Sequence, residues 1–236
     1  MSEATSSTPT LTTALTAVAT TASVAIVLRA IKRRFSPTIT STLQCKCGKI
    51  RGHVRAKYED SFRIHCYCQD CRDYANFIAS LGGNKDETIG KEFGDNRVVQ
   101  FCKNAITIEQ GQEHLKLAIK KKKKSKGKIY IHQFYAGCCH VPLMNTVDFL
   151  GFVGVFCDFL DQTAVEQWDG PCRMFQSEGF GQPNPPFPNP TWAPFIWKMI
   201  RYMPWRKSGP FDYDLTPVYW GEDSNGEKKE EKKKDK

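Results

Sequence analysis

The sequence has no basic residue ahead of Arg29, no small-residue cleavage site after its first apolar run, and no internal repeat. The gaps weigh against some classes of protein. A secretory signal needs a positive start and a cleavage site, and a matrix transit peptide carries arginine throughout, so both are disfavoured against an uncleaved anchor for residues 11–28. The lysines are not interleaved with aromatics and match no nucleic-acid motif, so nucleic acid is not the expected partner despite a formal net charge of +9. The tight cysteine groups also lack disulfide geometry among themselves, because adjacent and i, i+2 residues rarely reach the required Cα spacing.

What is present is a chain with a core. Hydrophobic residues make up 40% of the 236, with 15 Phe, 8 Tyr and 5 Trp, enough for one sizeable domain plus tails. Much of the positive excess falls in Lys120 to Lys128 and in the tail after Gly221, runs that usually form solvated loops. Ten cysteines are more than ordinary usage, and most are grouped at 45/47, 66/68/71 and 138/139. That grouping points to zinc thiolate ligation in a reducing compartment.

The segment "LTTALTAVATTASVAIVL", Leu11 to Leu28, is uncharged and is followed by Arg29, Lys32, Arg33 and Arg34. It predicts an uncleaved helical membrane anchor within a leader of residues 1–36. The positive-inside rule then leaves the remainder facing the cytoplasm, at the ER or the outer mitochondrial membrane. A disordered Ala/Thr leader or an organelle-import segment is the alternative. A folded domain is expected over 37–221 and a charged, disordered tail over 222–236, whose closing "KKDK" matches a dilysine retrieval signal.

Within the domain, "KIRGHVRA", "FRIHCYC", "RVVQFC", "AITIEQG", "HLKLAI" and "KIYIHQFYA" are β-branched or aromatic runs parted by turn residues, and they predict a mainly β fold. "FLGFVGVF" at 149–156 reads as a buried strand. "QPNPPFPNPTWAP" must be an extended connector. The following "TWAPFIWKMIRYMPWR" reads as a helix packed on its own domain, or alternatively as a segment lying on a membrane surface.

The chemistry concentrates in "RIHCYCQDCRDYANFIASLGG", residues 63–83. Cys68 and Cys71 stand at i, i+3, and Cys66 shares a strand face with Cys68, so three sulfurs can converge on one ion with a fourth position open. Tyr74, Phe77, Ile78 and Leu81 mark an amphipathic helix that Gly82 and Gly83 end. Asp70 is the expected N-cap, with Asp73 completing a variant capping box and Cys71 as the first helical residue. The helix N-terminus and Arg72 then favour thiolate over thiol. A redox role or inert packing are the competing readings of this triad. Cys45 and Cys47 with Cys138 and Cys139 offer a second, closed site, for which His140 is another candidate ligand. Cys102, Cys157 and Cys172 read as packing residues. His65 is expected to face away from the sulfurs, and His53, His114 and His132 have no identifiable role.

At these motifs the chain resembles the GFA superfamily, which contains glutathione-dependent formaldehyde-activating enzyme and the centromere protein V relatives. The family's C-x-C-G is matched by Cys45-Lys46-Cys47-Gly48, and its C-x-C-x-x-C followed by Arg by Cys66 through Arg72. Its late F-C-x-x-C-G-x-P-L aligns with Cys139-His140-Val141-Pro142-Leu143, which puts Ala136 where the first late cysteine belongs and leaves Cys138 as the substitute. The resemblance covers about residues 43–150, and features such as "GPFDYD" extend it to about 220. It implies a β-tent of small antiparallel sheets with short helices and two zinc ions. In that pattern the first C-x-C and the late cysteines hold a structural zinc. Cys66, Cys68 and Cys71 hold a reactive zinc that a glutathione sulfur approaches.

The expected function is carbon–sulfur lyase or thiol-adduct chemistry, with Cys66, Cys68, Cys71 and Arg72 as the working residues and a small thiol or its adduct as the partner. No general acid or base is identifiable. The runner-up is a non-catalytic, zinc-stabilised interaction module at a membrane surface, tethered by residues 11–28 and helped by Lys120–Lys124.

Overall fold

Alternation along short strands decides the architecture. β1 (Thr38–Gln44) turns Ile39, Ser41 and Leu43 inward and every other residue outward. β2 (Arg51–Lys57) buries Gly52, Val54 and Ala56 by the same period. These pair antiparallel, and β5 (Ile106–Gln110) joins β2 to close a three-stranded sheet in the order β1-β2-β5.

The computed structural model describes residues 31, 34–90, 92–120, 131–147, 151–168, 172–180 and 215–221. The expected anchor at 11–28, the lysine run after Lys120, the proline-rich connector, the aromatic-basic segment and the charged tail lie outside them. Among the described residues no helix is long and apolar enough to cross a membrane. The chain divides into two compact units, Met1–Pro37 and Thr38–Lys236. In the first, Ile31, Arg34 and Phe35 are helical and exposed; all that follows concerns the second.

Its main element is an eight-stranded sheet. The central strands are β3 (Phe62–Cys66), β4 (Asn96–Cys102), β6 (Leu115–Lys120), β7 (Ile131–Ala136), β8 (Pro142–Val147) and β9 (Phe152–Phe156). With the edge strands β10 (Cys172–Met174) and β11 (Val218–Trp220), the order is β10-β3-β4-β9-β8-β7-β6-β11. The inner pairs are antiparallel, whereas β10 joins β3 and β11 joins β6 in parallel. The mainly β expectation holds, and the strands expected around residues 49–56, 62–68, 97–102, 105–111, 114–119 and 149–156 are all present. Of the strand expected at 128–136, the described part, 131–136, is β7.

Both faces of the large sheet are covered. On one, Val99, Phe101, Val153 and Val155 meet Ile39, Leu43, Val54 and Ile106 of the three-stranded sheet in one core. The short helix α2 (Gln162–Val165) and Trp168 pack on the same core. On the other face, Ile64, Val98 and Phe156 receive Tyr74 and Ile78 of helix α1 (Gln69–Ser80). Each fully buried side chain of this size contributes about 1.5–3 kcal/mol, so α1 is held mainly by this stripe.

The end of α1 is fixed by backbone bonds. Gly82 N–H donates to Ala79 O at 3.0 Å and Gly83 N–H to Ile78 O at 3.0 Å, with Gly82 at φ +92°. This is the paired-bond termination that favours glycine in the left-handed region, as the Gly82-Gly83 signal implies.

Candidate metal centres

Two groups of cysteines come together, and each is built by a turn that the sequence writes locally. In the first, the strand β3 hands Cys66 to the loop that opens α1. The sulfurs of Cys66, Cys68 and Cys71 all lie within 4.8 Å of one another, and Cys68 and Cys71 are 3.3 Å apart. In the second, Cys45 and Cys47 sit in the turn between β1 and β2, where Gly48 at φ +74° brings its N–H to Cys45 O at 2.8 Å. Cys138 and Cys139 sit in the loop between β7 and β8. Cys45 is 3.7 Å from Cys47 and 3.9 Å from Cys138, Cys47 is 3.3 Å from Cys138, and Cys138 is 4.0 Å from Cys139.

These distances suit a metal. Four sulfurs around an ion at about 2.3 Å stand about 3.8 Å from one another along the tetrahedron's edges. The quartet's contacts bracket that value, far longer than the ~2 Å of a disulfide. All ten cysteines are free. Both groups could therefore hold a metal ion, the quartet with four sulfurs and the triad with three. His140 does not join the quartet. Ala136 is fully buried, and its carbonyl accepts the His140 N–H at 2.7 Å, which tightens the loop with His140 at φ +52°. This turn is what lets the adjacent Cys138 and Cys139 reach one centre.

The electrostatics differ between the groups. Contacts with Cys66 and then Cys71 hold the Cys68 sulfur far below the usual thiol range, at about 3. Cys66 is pushed up to about 12, first by its contact with Cys68, and Cys71 is raised well above its ordinary value by Cys66 and Cys68. At this spacing three negative charges would repel, which opposes ionisation of all three sulfurs at once. A divalent cation would relieve that repulsion and release the remaining protons. In the quartet the exposed Cys47 is brought down to about 7 by the Lys49 N–H and by Cys138. Cys45 receives the Ile50 N–H at 3.2 Å.

The start of α1 departs from the expected cap. The helix begins at Gln69 with Cys68 as its N-cap residue and no side-chain cap bond, so Cys71 is the third helical residue and not the first. Asp70 and Asp73 turn instead to Lys120, whose Nζ lies 2.8 Å from Asp70 Oδ1 and also bonds Asp73. An ammonium across the sheet outcompetes the backbone for these carboxylates. The Gln69 N–H is taken by Glu178 Oε2 at 2.8 Å, from the segment after β10.

Arg72 is engaged locally. Its guanidinium donates to Tyr67 O and to Gln69 Oε1 at 2.6 Å and lies over the Phe180 ring, 5.5 Å from its centroid. It braces the loop that carries Cys68. His65 faces away from the sulfurs, as strand alternation requires, and its Nδ1 meets Asp95 Oδ2 at 3.0 Å. Burial keeps this imidazole below the ordinary histidine value against the pull of Asp95. Glu178, Phe180 and Asp95 carry no sequence signal, since each reaches its partner from a separate segment. Cys102 and Cys157 are buried and Cys172 is half-buried against the α1 side of the sheet. His53 pairs with Glu109 at 3.0 Å.

A cavity of about 250 Å³ lies beside the quartet, lined by Gln44, Cys45, Lys46, Val141, Pro142, Asp158 and Phe159. It includes no residue of the triad.

No curated protein matches the chain. A family model matches residues 38–195, from the first strand of the three-stranded sheet past both cysteine centres, and by that match the chain belongs to a family of unknown function, DUF6151.

Proposed function

We propose that this chain is a zinc protein of the GFA type, in which Cys66, Cys68 and Cys71 hold a reactive zinc and Cys45, Cys47, Cys138 and Cys139 a structural one. The fold is read as a variant of the β-tent. The observation that carries the reading is the difference in donor number: four sulfurs at tetrahedral-edge spacing in one group, three in the other. A closed four-sulfur site is structural by type, and a three-ligand site keeps a position for a guest. Zinc in the triad would keep an incoming thiol ionised at neutral pH.

The guest is a small thiol such as glutathione, or its adduct with a carbonyl compound, and the reaction class is carbon–sulfur lyase or thiol-adduct chemistry. The protein's own part is positional. β3 and the first turn of α1 fix the three sulfurs, Arg72 locks the loop between them, and Glu178 holds the helix start. Sulfurs held at ligand spacing suit a reducing compartment. They agree with a cytoplasm-facing domain tethered through residues 11–28.

A second reading, a zinc-stabilised interaction module without catalysis, is favoured by the engagement of Arg72 with Tyr67 O and Gln69 Oε1. Cobalt substitution separates the two. With cobalt in both centres, millimolar glutathione is expected to change the thiolate-to-cobalt absorption in wild type and not in a Cys68→Ser variant. An unchanged wild-type spectrum would leave the module reading.

A further inference from the structure

We propose that Cys47 is an oxidation site for hydroperoxides, with Cys138 as its resolving partner, so that the quartet exchanges its metal for a Cys47–Cys138 disulfide. The inference rests on the zinc reading of the quartet and deepens it. The four-sulfur centre, and not the three-sulfur one, is where the chain answers to peroxide.

Peroxide reactivity needs a thiolate and access to it. Zinc equalises the first requirement, because every sulfur that ligates it is deprotonated. Access then decides among the sulfurs of the two centres. Of all ten cysteines Cys47 alone is exposed, whereas Cys66, Cys68, Cys71, Cys138 and Cys139 are half-buried and Cys45 is buried. The contrast between Cys45 and Cys47 has a local cause. Cys45 prolongs the inward alternation of Ile39, Ser41 and Leu43, and its sulfur receives the Ile50 N–H at 3.2 Å. Cys47 lies in the turn that follows, where the chain has left the sheet.

A resolving sulfur must be close and free to bond. Within the quartet, Cys45 and Cys47 stand at i, i+2 and Cys138 and Cys139 are adjacent, pairings whose Cα spacing rarely permits a disulfide. Across the centre, Cys47 Sγ is 3.3 Å from Cys138 Sγ, while Cys45 Sγ is 3.9 Å from it. From 3.3 Å the pair needs to close by only about 1.3 Å to reach the S–S bond length. The new bond would tie the β1–β2 turn of the small sheet to the β7–β8 loop of the large one, the same tie the zinc supplies.

The step balances with a hydroperoxide as oxidant. The Cys47 thiolate attacks the O–O bond, so that an S–O bond forms and hydroxide leaves, giving a sulfenic acid. The Cys138 thiolate then attacks the Cys47 sulfur; the S–S bond forms, the S–O bond breaks and a second hydroxide leaves. Two thiolates have lost two electrons and one peroxide has gained them. The zinc, unchanged in charge, has lost two of four ligands and departs.

The chain makes the readout clean. Trypsin cuts after Lys46 and so parts Cys45 from Cys47, whereas Cys66, Cys68 and Cys71 share the peptide 64–72. A Cys47–Cys138 bond therefore links two peptides, and a bond within the triad only loops one.

The test treats metal-replete full-length protein with one equivalent of hydrogen peroxide, blocks the remaining thiols, and maps the unreduced tryptic peptides by fragment ions. A chromophoric chelator counts the zinc released. The linked Cys47–Cys138 pair is expected in roughly fivefold or greater excess over the looped triad peptide, with about one zinc released per peroxide consumed. No substitution is needed for this arm. In Cys68→Ser, whose remaining metal is the quartet's, the same release and the same linked pair are expected. The proposal is overturned if the looped triad peptide forms first, if Cys47 pairs with a sulfur other than Cys138, or if the quartet keeps its zinc. Metal analysis before oxidation separates the two levels. A quartet without zinc sinks the zinc reading, whereas a loaded quartet that resists peroxide sinks this proposal alone.

Discussion

Gly83 sits against the carbonyl of His140 so closely that a Cβ on the glycine would stand 2.3 Å from that oxygen. The contact joins the last turn of α1, which carries Cys71 near its start, to the loop that presents Cys138 and Cys139. The end of α1 away from the triad therefore abuts the loop of the quartet, about 18 Å along the helix from Cys71 at a rise of about 1.5 Å per residue. Gly83→Ala is expected to cost about 1–3 kcal/mol, the range for overpacking a tight site. It should also loosen metal at the quartet before the triad. Melting curves with metal release measured by a chromophoric chelator check both halves.

Metal content should divide by group. Wild type is expected to hold two equivalents of metal, and Cys68→Ser or Cys71→Ser to lose the triad's equivalent and keep the other. Cys47→Ser should lose the quartet's equivalent and with it several kcal/mol of stability, since a structural site contributes its binding energy to folding. Elemental analysis of the folded variants decides this. Retention of both equivalents in Cys68→Ser would remove the triad as a centre.

Lys120 links β6 to the first turn of α1 through Asp70 and Asp73. Burial works against the Asp73 charge, but Lys120 and the Gln69 amide outweigh it and hold the carboxyl below 3.8. Because the folded value is depressed, the contribution is complete above about pH 4 and is lost as pH falls through the folded value. The groups are partly exposed, so Lys120→Met is expected to cost only about 0.5–1 kcal/mol at pH 7. The wild-type advantage should shrink toward zero in acid denaturation below pH 4.

Trp168 anchors the short helix to the sheet. Its Nε1–H donates to Ser61 Oγ at 2.7 Å, and its ring meets Phe101 edge-on with centroids 5.4 Å apart. The ring is buried in the core shared by both sheets. Trp168→Ala should cost about 3–5 kcal/mol, and Trp168→Phe should cost less by keeping the ring contact. Urea denaturation of the two variants gives the comparison.

Local chemistry made part of this readable from sequence. The cysteine spacing, the Tyr74-Phe77-Ile78-Leu81 stripe and the paired glycines all act within a few residues, so the triad and α1 were legible. β1 was not, because Ser41 occupies an inward position and breaks the apolar alternation. β10 and β11 were not, because three residues carry no period and their pairing is set by β3 and β6. The Asp70 cap failed for a similar reason: a good capping residue was claimed by Lys120, fifty positions away in the chain. Glu178 reaches Gln69 across an even longer span.

The two parallel pairings have a consequence for how the molecule comes to exist on the ribosome. The six antiparallel strands between Phe62 and Phe156 can zip together as they emerge. Their outer rims must then wait, one for Cys172–Met174 and the other for Val218–Trp220. During that interval β3 and β6 present bare main-chain groups to any passing strand. A nascent chain stalled before Val218 would accordingly be a sticky species, rescued only when its final short ribbon arrives.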